Sequence, residues 1–174
     1  MQGERPHFYH RHQMFVSAGI IPYTVDNAGK YQFLLQRLTD EDRKWTYEDF
    51  GGKSNVCDRS IMDIAIRECY EETNSMEEFN PEFLKQQIAD SRTVIYRIPA
   101  YKYMLYLTYV PVELLNLDLS KFGTRNDEDN RVLEWVSYST LMGFDDQEFH
   151  PRLGGELKTS LPLILAHTGQ LSYF

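Results

Sequence analysis

The stretch GGKSNVCDRSIMDIAIRECYEETN, residues 51–74, constrains this chain more than any other. Two adjacent glycines and a lysine lead through a short polar loop into a helical pattern. Asp58 and Ser60 are both good N-caps, and good helix formers continue to Thr73. Asn74 suits a left-handed C-cap. Ile61, Met62, Ala65, Ile66 and Cys69 form an apolar stripe along the helix. Glu68, Glu71 and Glu72 are spaced i, i+3, i+4, so three carboxylates share a second face, about 100° away. One side of the helix can therefore be buried while the acids look into a cleft. Those acids repel one another by roughly a few tenths of a kcal/mol per pair. They also sit at the helix end where the macrodipole disfavours anions. Local disfavour of this kind is expected at a functional site. A solvated acidic helix end is the plain alternative, and E-x-x-E-E alone most often means that.

The flanking text reads as strands and short helices. MFVSAGIIPYTV from Met14, turn chemistry at Asp26–Gly29 and YQFLLQRL form a hairpin pattern. A charged loop with a short strand around Trp45 and Tyr47 follows. Pro81 opens a short helix through Gln87, and residues 92–110 read as two strands bent at Pro99. RVLEWVSYSTL is a strand running into a short helix. Ser160-Leu161-Pro162 reads as the start of a last helix, stopped by Gly169. The order predicts an α/β fold, a mixed sheet with helices packed on its faces. Residues 1–13 read as a polar arm, whose His7, His10 and His12 are read as solvated rather than metal-binding. Residues 14–174 read as one domain.

Charge and cysteines narrow the functional classes. Net charge is -8, so long nucleic acid and anionic membrane are poor partners, because their phosphates need Lys and Arg. A small phosphorylated ligand reached through divalent metal is still allowed. Cys57 and Cys69 do not form a disulfide or zinc pattern. No apolar run approaches a membrane span, and the N-terminal residues lack a signal peptide's apolar stretch, so a cytoplasmic protein is expected.

Hard divalent cations take oxygen ligands, and Mg²⁺ is commonly held by one or two carboxylates with water and substrate phosphate. Glu68, Glu71 and Glu72 suit that need. The Gly51-Gly52 turn allows close backbone approach, so the Gly51 carbonyl is a candidate metal ligand and Gly52 a candidate substrate contact. Lys53 is placed to face a phosphate, and Arg67 to orient or neutralise an acid. Arg37, in a loose basic cluster with Arg43 and Lys44, is a further substrate-binding candidate.

Together Gly52, Asp58, Arg67, Glu68, Glu71 and Glu72 resemble the signature of the Nudix hydrolases, G-x5-E-x7-R-E-U-x-E-E-x-G-U. SAGIIPY and QFLLQRL resemble that family's opening hairpin, and RVLEWVSYSTL its late strand and following helix, so the resemblance covers roughly residues 14–145. Asp58 stands where the family has glutamate, with eight residues rather than seven before Arg67. Asn74 replaces a glycine, and Phe50 stands where proline often precedes the glycines. The resemblance implies an α/β/α sandwich with its catalytic helix after the glycine loop. It implies cleavage of a nucleoside diphosphate linked to another group, with Mg²⁺ or Mn²⁺ held chiefly by Glu68, Glu71 and Glu72. It also implies a further acid from a loop before the late strand, for which Glu128 is the candidate beside Asp127 and Asp129. A pyrophosphohydrolase of small nucleotides or nucleotide sugars is the expected activity. A hydrolase of capped RNA or diphosphoinositol phosphates, and a Nudix-fold binding module, are the alternatives. The family is often dimeric, so a homodimer is allowed. Tyr23, Trp45, Tyr47, Tyr96 and Tyr103 are candidates to stack on a base, although packing explains each as well. Arg152, in HPRL, is expected to serve the start of the last helix.

Overall fold

The computed structural model describes residues 4–42, 44–121 and 131–167. Two short strands, β1 (Phe8–His10) and β2 (Gln13–Phe15), pair as a hairpin turned through Arg11 and His12 at positive φ. The stretch read as a polar arm thus contributes a hairpin, and Phe15 at its end is fully buried. The expected second hairpin is formed by β3 (Ser17–Val25) and β4 (Tyr31–Leu38). In its turn the Asp26 carboxylate accepts from the N–H groups of Ala28 and Lys30, both at 2.9 Å, and Gly29 adopts φ +77°. Then come β5 (Tyr47–Glu48), β6 (Phe50–Lys53), α1 (Ile61–Glu72) and α2 (Pro81–Ile88). β7 (Val94–Ile98) and β8 (Tyr103–Tyr109) pair antiparallel across the turn that contains Pro99. β9 (Arg131–Ser137) runs into α3 (Tyr138–Gly143), and α4 (Gly154–His167) follows.

Among the described residues the main sheet has seven strands, with β3 at its centre. β3 runs parallel to β8 along Ser17–Tyr23. On its other side β3 pairs twice: Ser17–Ile20 with β6, then Tyr23–Val25 with β4. β4 and β6 therefore diverge, and the sheet splits between them. β5 pairs with β4 at Gln36 and Arg37, so the chain crosses the split at Asp49. β9 lies along the far side of β4.

Strand alternation sends side chains to two cores. Ile21, Tyr23, Phe33, Leu35 and Leu105 pack under α3 and α4. Ala18, Ile20, Leu34, Phe50 and Met104 pack under α1 and α2. The result is the expected three-layer α/β/α arrangement. α4 differs from expectation, because it starts at Gly154 and takes Pro162 inside the helix. Leu153, Leu157, Leu161 and Leu165 recur every four residues and are all buried in the first core. That burial offsets the roughly 3 kcal/mol that an interior proline costs. Cys57 is exposed, Cys69 is buried, and both thiols are free.

Candidate active site

α1 is held at both ends by its own sequence. The Ser60 hydroxyl accepts from the Asp63 N–H at 3.0 Å, as an N-cap should. Asn74 and Ser75 both turn left-handed just past the last turn. The helix packs against β3 and β6 through Ile64, Ala65 and Cys69. Its last turn then lies beside the glycine pair. A Cβ on Gly52 would stand 2.5 Å from Glu68 Cδ and 2.6 Å from both carboxylate oxygens. Glycine is required there because a carboxylate rests on the backbone. Gly51 is constrained from the opposite face, where a Cβ would overlap the Tyr103 hydroxyl and meet Gly19 Cα at 2.7 Å.

Arg67 organises the acids. Its Nε and Nη2 grip the two oxygens of Asp58 at 3.0 and 2.9 Å. Nη2 also donates to the Lys53 carbonyl at 2.9 Å. Nη1 lies 2.7 Å from Glu68 Oε1 and 3.5 Å from Glu71 Oε2. Asp58 thus reaches Arg67 bidentately despite the extra residue between them, and it anchors the guanidinium rather than joining the acids. Its bond, with support from Glu68, raises the Arg67 pKa. Burial pushes the Glu68 carboxyl up, against the pull of Arg67 and with a further push from Glu71.

Glu72 occupies the split in the sheet. Its Oε2 accepts from the Gly51 N–H at 2.8 Å and from Gln36 Nε2 at 2.9 Å. Gly51 and Gly19 pair across β6 and β3 as a close, non-hydrogen-bonded pair, so the Gly51 N–H and carbonyl both turn away from β3. Glu72 satisfies that N–H and so bridges β6 to β4. Its Oε1 accepts from Arg131 Nη1 at 3.0 Å. Burial lifts its carboxyl to about 8, with Arg131 opposing and Glu48 adding to the rise.

The three glutamates expected to share metal do not converge on one point. Glu68 and Glu71 meet around Arg67, whereas Glu72 turns to Gln36, Gly51 and Arg131. Among the described residues no three His, Cys, Asp or Glu side chains form a ready metal cluster. The Glu68–Glu71 end nevertheless fits a hard cation: two carboxylates already gather around one positive nitrogen, against backbone stripped of side chains. Lys53 is exposed at the end of β6, and it is its carbonyl that joins this group, accepting from Arg67. Arg37 is not brought there. It lies on the sheet face opposite Gln36, pairs with Glu134 at 2.8 Å, and lines a hollow of about 320 Å³ with Val132 and Ser120. Glu128, Asp127 and Asp129 lie outside the described residues.

The aromatic candidates mostly serve packing. Tyr23 and Tyr103 are fully buried, Tyr47 stacks on Phe144 at 4.5 Å, and Tyr96 bonds Ser160. Trp45 contacts the His150 ring edge-on at 4.4 Å.

A second polar group supports the glycine pair and was not evident in the sequence as a unit. Asp49, just before Phe50 and the glycines, is fully buried. Arg152 holds its Oδ1 through Nε at 2.9 Å and Nη2 at 2.7 Å, and the Tyr103 hydroxyl donates to Oδ2. Arg152 sits just before α4, and its partner lies 103 residues away in sequence. Gln36 and Arg131 were missed as well. Nothing local singles out Gln36, because the strand run YQFLLQRL also carries Gln32 and Arg37.

No family model matches the chain. A 62-residue segment is 48% identical to uncharacterized protein L534 of Acanthamoeba polyphaga mimivirus, and the match spans 34% of this chain and 20% of that protein's length. In three dimensions the chain is similar to RenU, a Nudix hydrolase from M. smegmatis. The TM-score is 0.50 at 12% identity, over 95% of this chain and 94% of that one. It is also similar to NrtR of Shewanella oneidensis, with a TM-score of 0.54 at 11% identity, over 88% of this chain and 64% of that one. The chain has the Nudix fold.

Proposed function

From a Nudix fold that carries R-E-x-x-E-E against a glycine pair, we propose a metal-dependent pyrophosphohydrolase. Its substrate is a nucleoside diphosphate linked to another group, with small nucleotides and nucleotide sugars favoured by the net charge of -8. The observation that carries this reading is the Glu68 carboxylate lying on Gly52, with Glu71 sharing its Arg67 partner. A merely wet helix end has no reason to exclude a side chain from the facing strand.

Glu68 and Glu71 would hold Mg²⁺ or Mn²⁺, with the Gly51 carbonyl as a backbone donor. Bound there, the ion supplies a water of lowered pKa and positive charge for the phosphate oxygens. Arg67, anchored on Asp58, keeps both carboxylates in register. Lys53 meets a phosphate at the rim of the site. One of Glu68, Glu71 or Glu128 accepts the proton of the attacking water.

The test is a hydrolysis screen with Mg²⁺ and Mn²⁺ over nucleoside triphosphates, nucleotide sugars, dinucleotides, diphosphoinositol phosphates and capped RNA. Products are read by mass spectrometry in ¹⁸O water, beside Glu71→Gln. Turnover that requires metal and collapses in the variant is expected. Folded protein that binds a ligand but turns over none of these would refute the enzyme and favour a binding module.

A further inference from the structure

We propose that Tyr103 is a positioning residue for the metal site. Its hydroxyl, held by Asp49 and through it by Arg152, sets the height of Gly51 in the sheet and so the place of the Gly51 carbonyl. The inference rests on the metal-dependent reading above and concerns what holds the backbone donor.

Gly51 needs support of this kind. It has no side chain, and as one of a non-hydrogen-bonded pair it receives no ladder bond from Gly19. Its N–H is tied to Glu72 within the split. On the α4 face the Tyr103 hydroxyl rests against it. A Cβ added to Gly51 would overlap that oxygen, and so would one added to Gly19. The two glycines, paired across β6 and β3, thus form the floor of a groove for the phenol. Tyr103 comes from β8, on the other side of β3, so its side chain crosses the central strand to reach β6. A tyrosine that only filled the core would not need two strands stripped of Cβ beneath its hydroxyl.

The phenol is fixed at both ends. At its base the Val16 N–H donates to the Lys102 carbonyl at 3.0 Å, which pins the start of β8 to the chain entering β3. At its tip the hydroxyl donates to Asp49 Oδ2, two residues before Gly51. Asp49 is fully buried, and Arg152 binds its other oxygen through Nε at 2.9 Å and Nη2 at 2.7 Å. A bond to a charged acceptor is shorter and stronger than one between neutral groups, so the hydroxyl is held firmly. The same guanidinium lies over the Tyr103 ring, with Cζ 4.9 Å from its centroid.

The glycine pair is therefore gripped from both layers. Glu68 lies on Gly52 from the α1 side, and Tyr103 lies on Gly51 from the α4 side. Arg152, just before α4, ties that second contact to the helical layer opposite the acids. Without the hydroxyl, Asp49 Oδ2 loses this donor and the groove above Gly51 empties. Residues 49–51 can then settle toward it and carry the Gly51 carbonyl with them.

The test measures Mn²⁺ affinity of the intact protein, by electron paramagnetic resonance of the free ion, with no substrate present. Tyr103→Phe removes one oxygen and keeps the ring. It is expected to weaken Mn²⁺ binding about tenfold, the scale on which partners behind metal ligands act. Leu161→Ala, a truncation in the core under α4, is the control. Followed by circular dichroism, it should lower the melting temperature at least as much, yet bind Mn²⁺ within about twofold of wild type. A merely structural Tyr103 would behave like the control. Unchanged affinity in folded Tyr103→Phe, or an equal loss in both variants, would overturn the proposal and leave the metal-dependent reading standing. If Tyr103→Phe does not fold, Arg152→Lys decides. It keeps a charge beside Asp49 but gives up the two-nitrogen grip and the stacking on Tyr103, so binding should weaken at least about threefold. Wild-type affinity in Arg152→Lys would then refute the positioning role. Wild type that binds no Mn²⁺ at all would overturn the metal-dependent reading, and this inference with it.

Discussion

Two adjacent glycines in this chain should fail in different ways when each becomes alanine. Neither adopts positive φ, so the penalty is steric rather than conformational. At Gly52 the new Cβ would meet the Glu68 carboxylate at 2.5–2.6 Å. Carbon atoms need about 3.5 Å, so the carboxylate must retreat by about 1 Å. It ends a flexible side chain, and moving it off its rotamer costs about 1 kcal/mol. At Gly51 the Cβ would instead strike the Tyr103 hydroxyl, Gly19 Cα at 2.7 Å and the Ala18 carbonyl at 2.8 Å. Backbone cannot swing aside, and the buried bond from Tyr103 to Asp49 is lost. Overpacking and the lost bond together come to about 3–5 kcal/mol. In a domain of this size about 1 kcal/mol moves Tm by roughly 2–4 °C. Gly52→Ala should therefore melt within about 4 °C of wild type, and Gly51→Ala roughly 6–20 °C lower. Turnover of the substrate found in the hydrolysis screen should fall about 10²-fold in folded Gly52→Ala, because about 1 Å of misplacement at a reacting group costs that much. Thermal melts followed by circular dichroism and kinetics at 20 °C make the comparison. Equal melting of the two variants, or full activity in Gly52→Ala, would refute the steric reasoning.

Other expectations follow from the surrounding contacts. Arg152→Met leaves Asp49 buried without its cation and should destabilise by about 3–5 kcal/mol in urea titrations. Adding Asp49→Asn should recover most of that loss, and a double variant as weak as the single would count against the ion pair. Burial, and then Arg152, lower the His150 pKa from 6.5 to about 4. The unfolded chain therefore takes up a proton first, and the contribution present above pH 6.5 is lost as pH falls through 4. Because the ring is only half-buried, we expect about 1–2 kcal/mol from this residue, with a flatter pH profile in His150→Asn urea melts. An identical slope in both proteins would remove His150 from the account. Ser60→Ala removes the N-cap of α1 and should cost about 1 kcal/mol by the same titration; an unchanged midpoint would show that the cap adds nothing.

Local pattern alone determined the acidic helix of this protein. Ser60, the apolar stripe ending at Cys69 and the turn at Asn74 specify where α1 begins, which face it buries and where it stops, because those choices depend on neighbours within a few residues. The hairpin around Gly29 is legible for the same reason, and so are the two strands around Pro99. α4 begins six residues before Ser160-Leu161-Pro162, although that triplet carries a strong local start signal. Burial of leucines four residues apart overrides it, and burial is not a local property. Tertiary structure alone decided how the three glutamates divide. Spacing places Glu68, Glu71 and Glu72 on one helical face, yet Glu72 is drawn off to fill the split between β4 and β6. That split exists because β3 pairs with different strands at its two ends, which no short window of sequence records. The partners that complete the site, Gln36, Arg131 and the Asp49–Arg152 pair, come from strands and loops far apart in the chain. Ion pairs and hydrogen bonds act over a few ångströms of space, and only the folded sheet converts those separations into such distances.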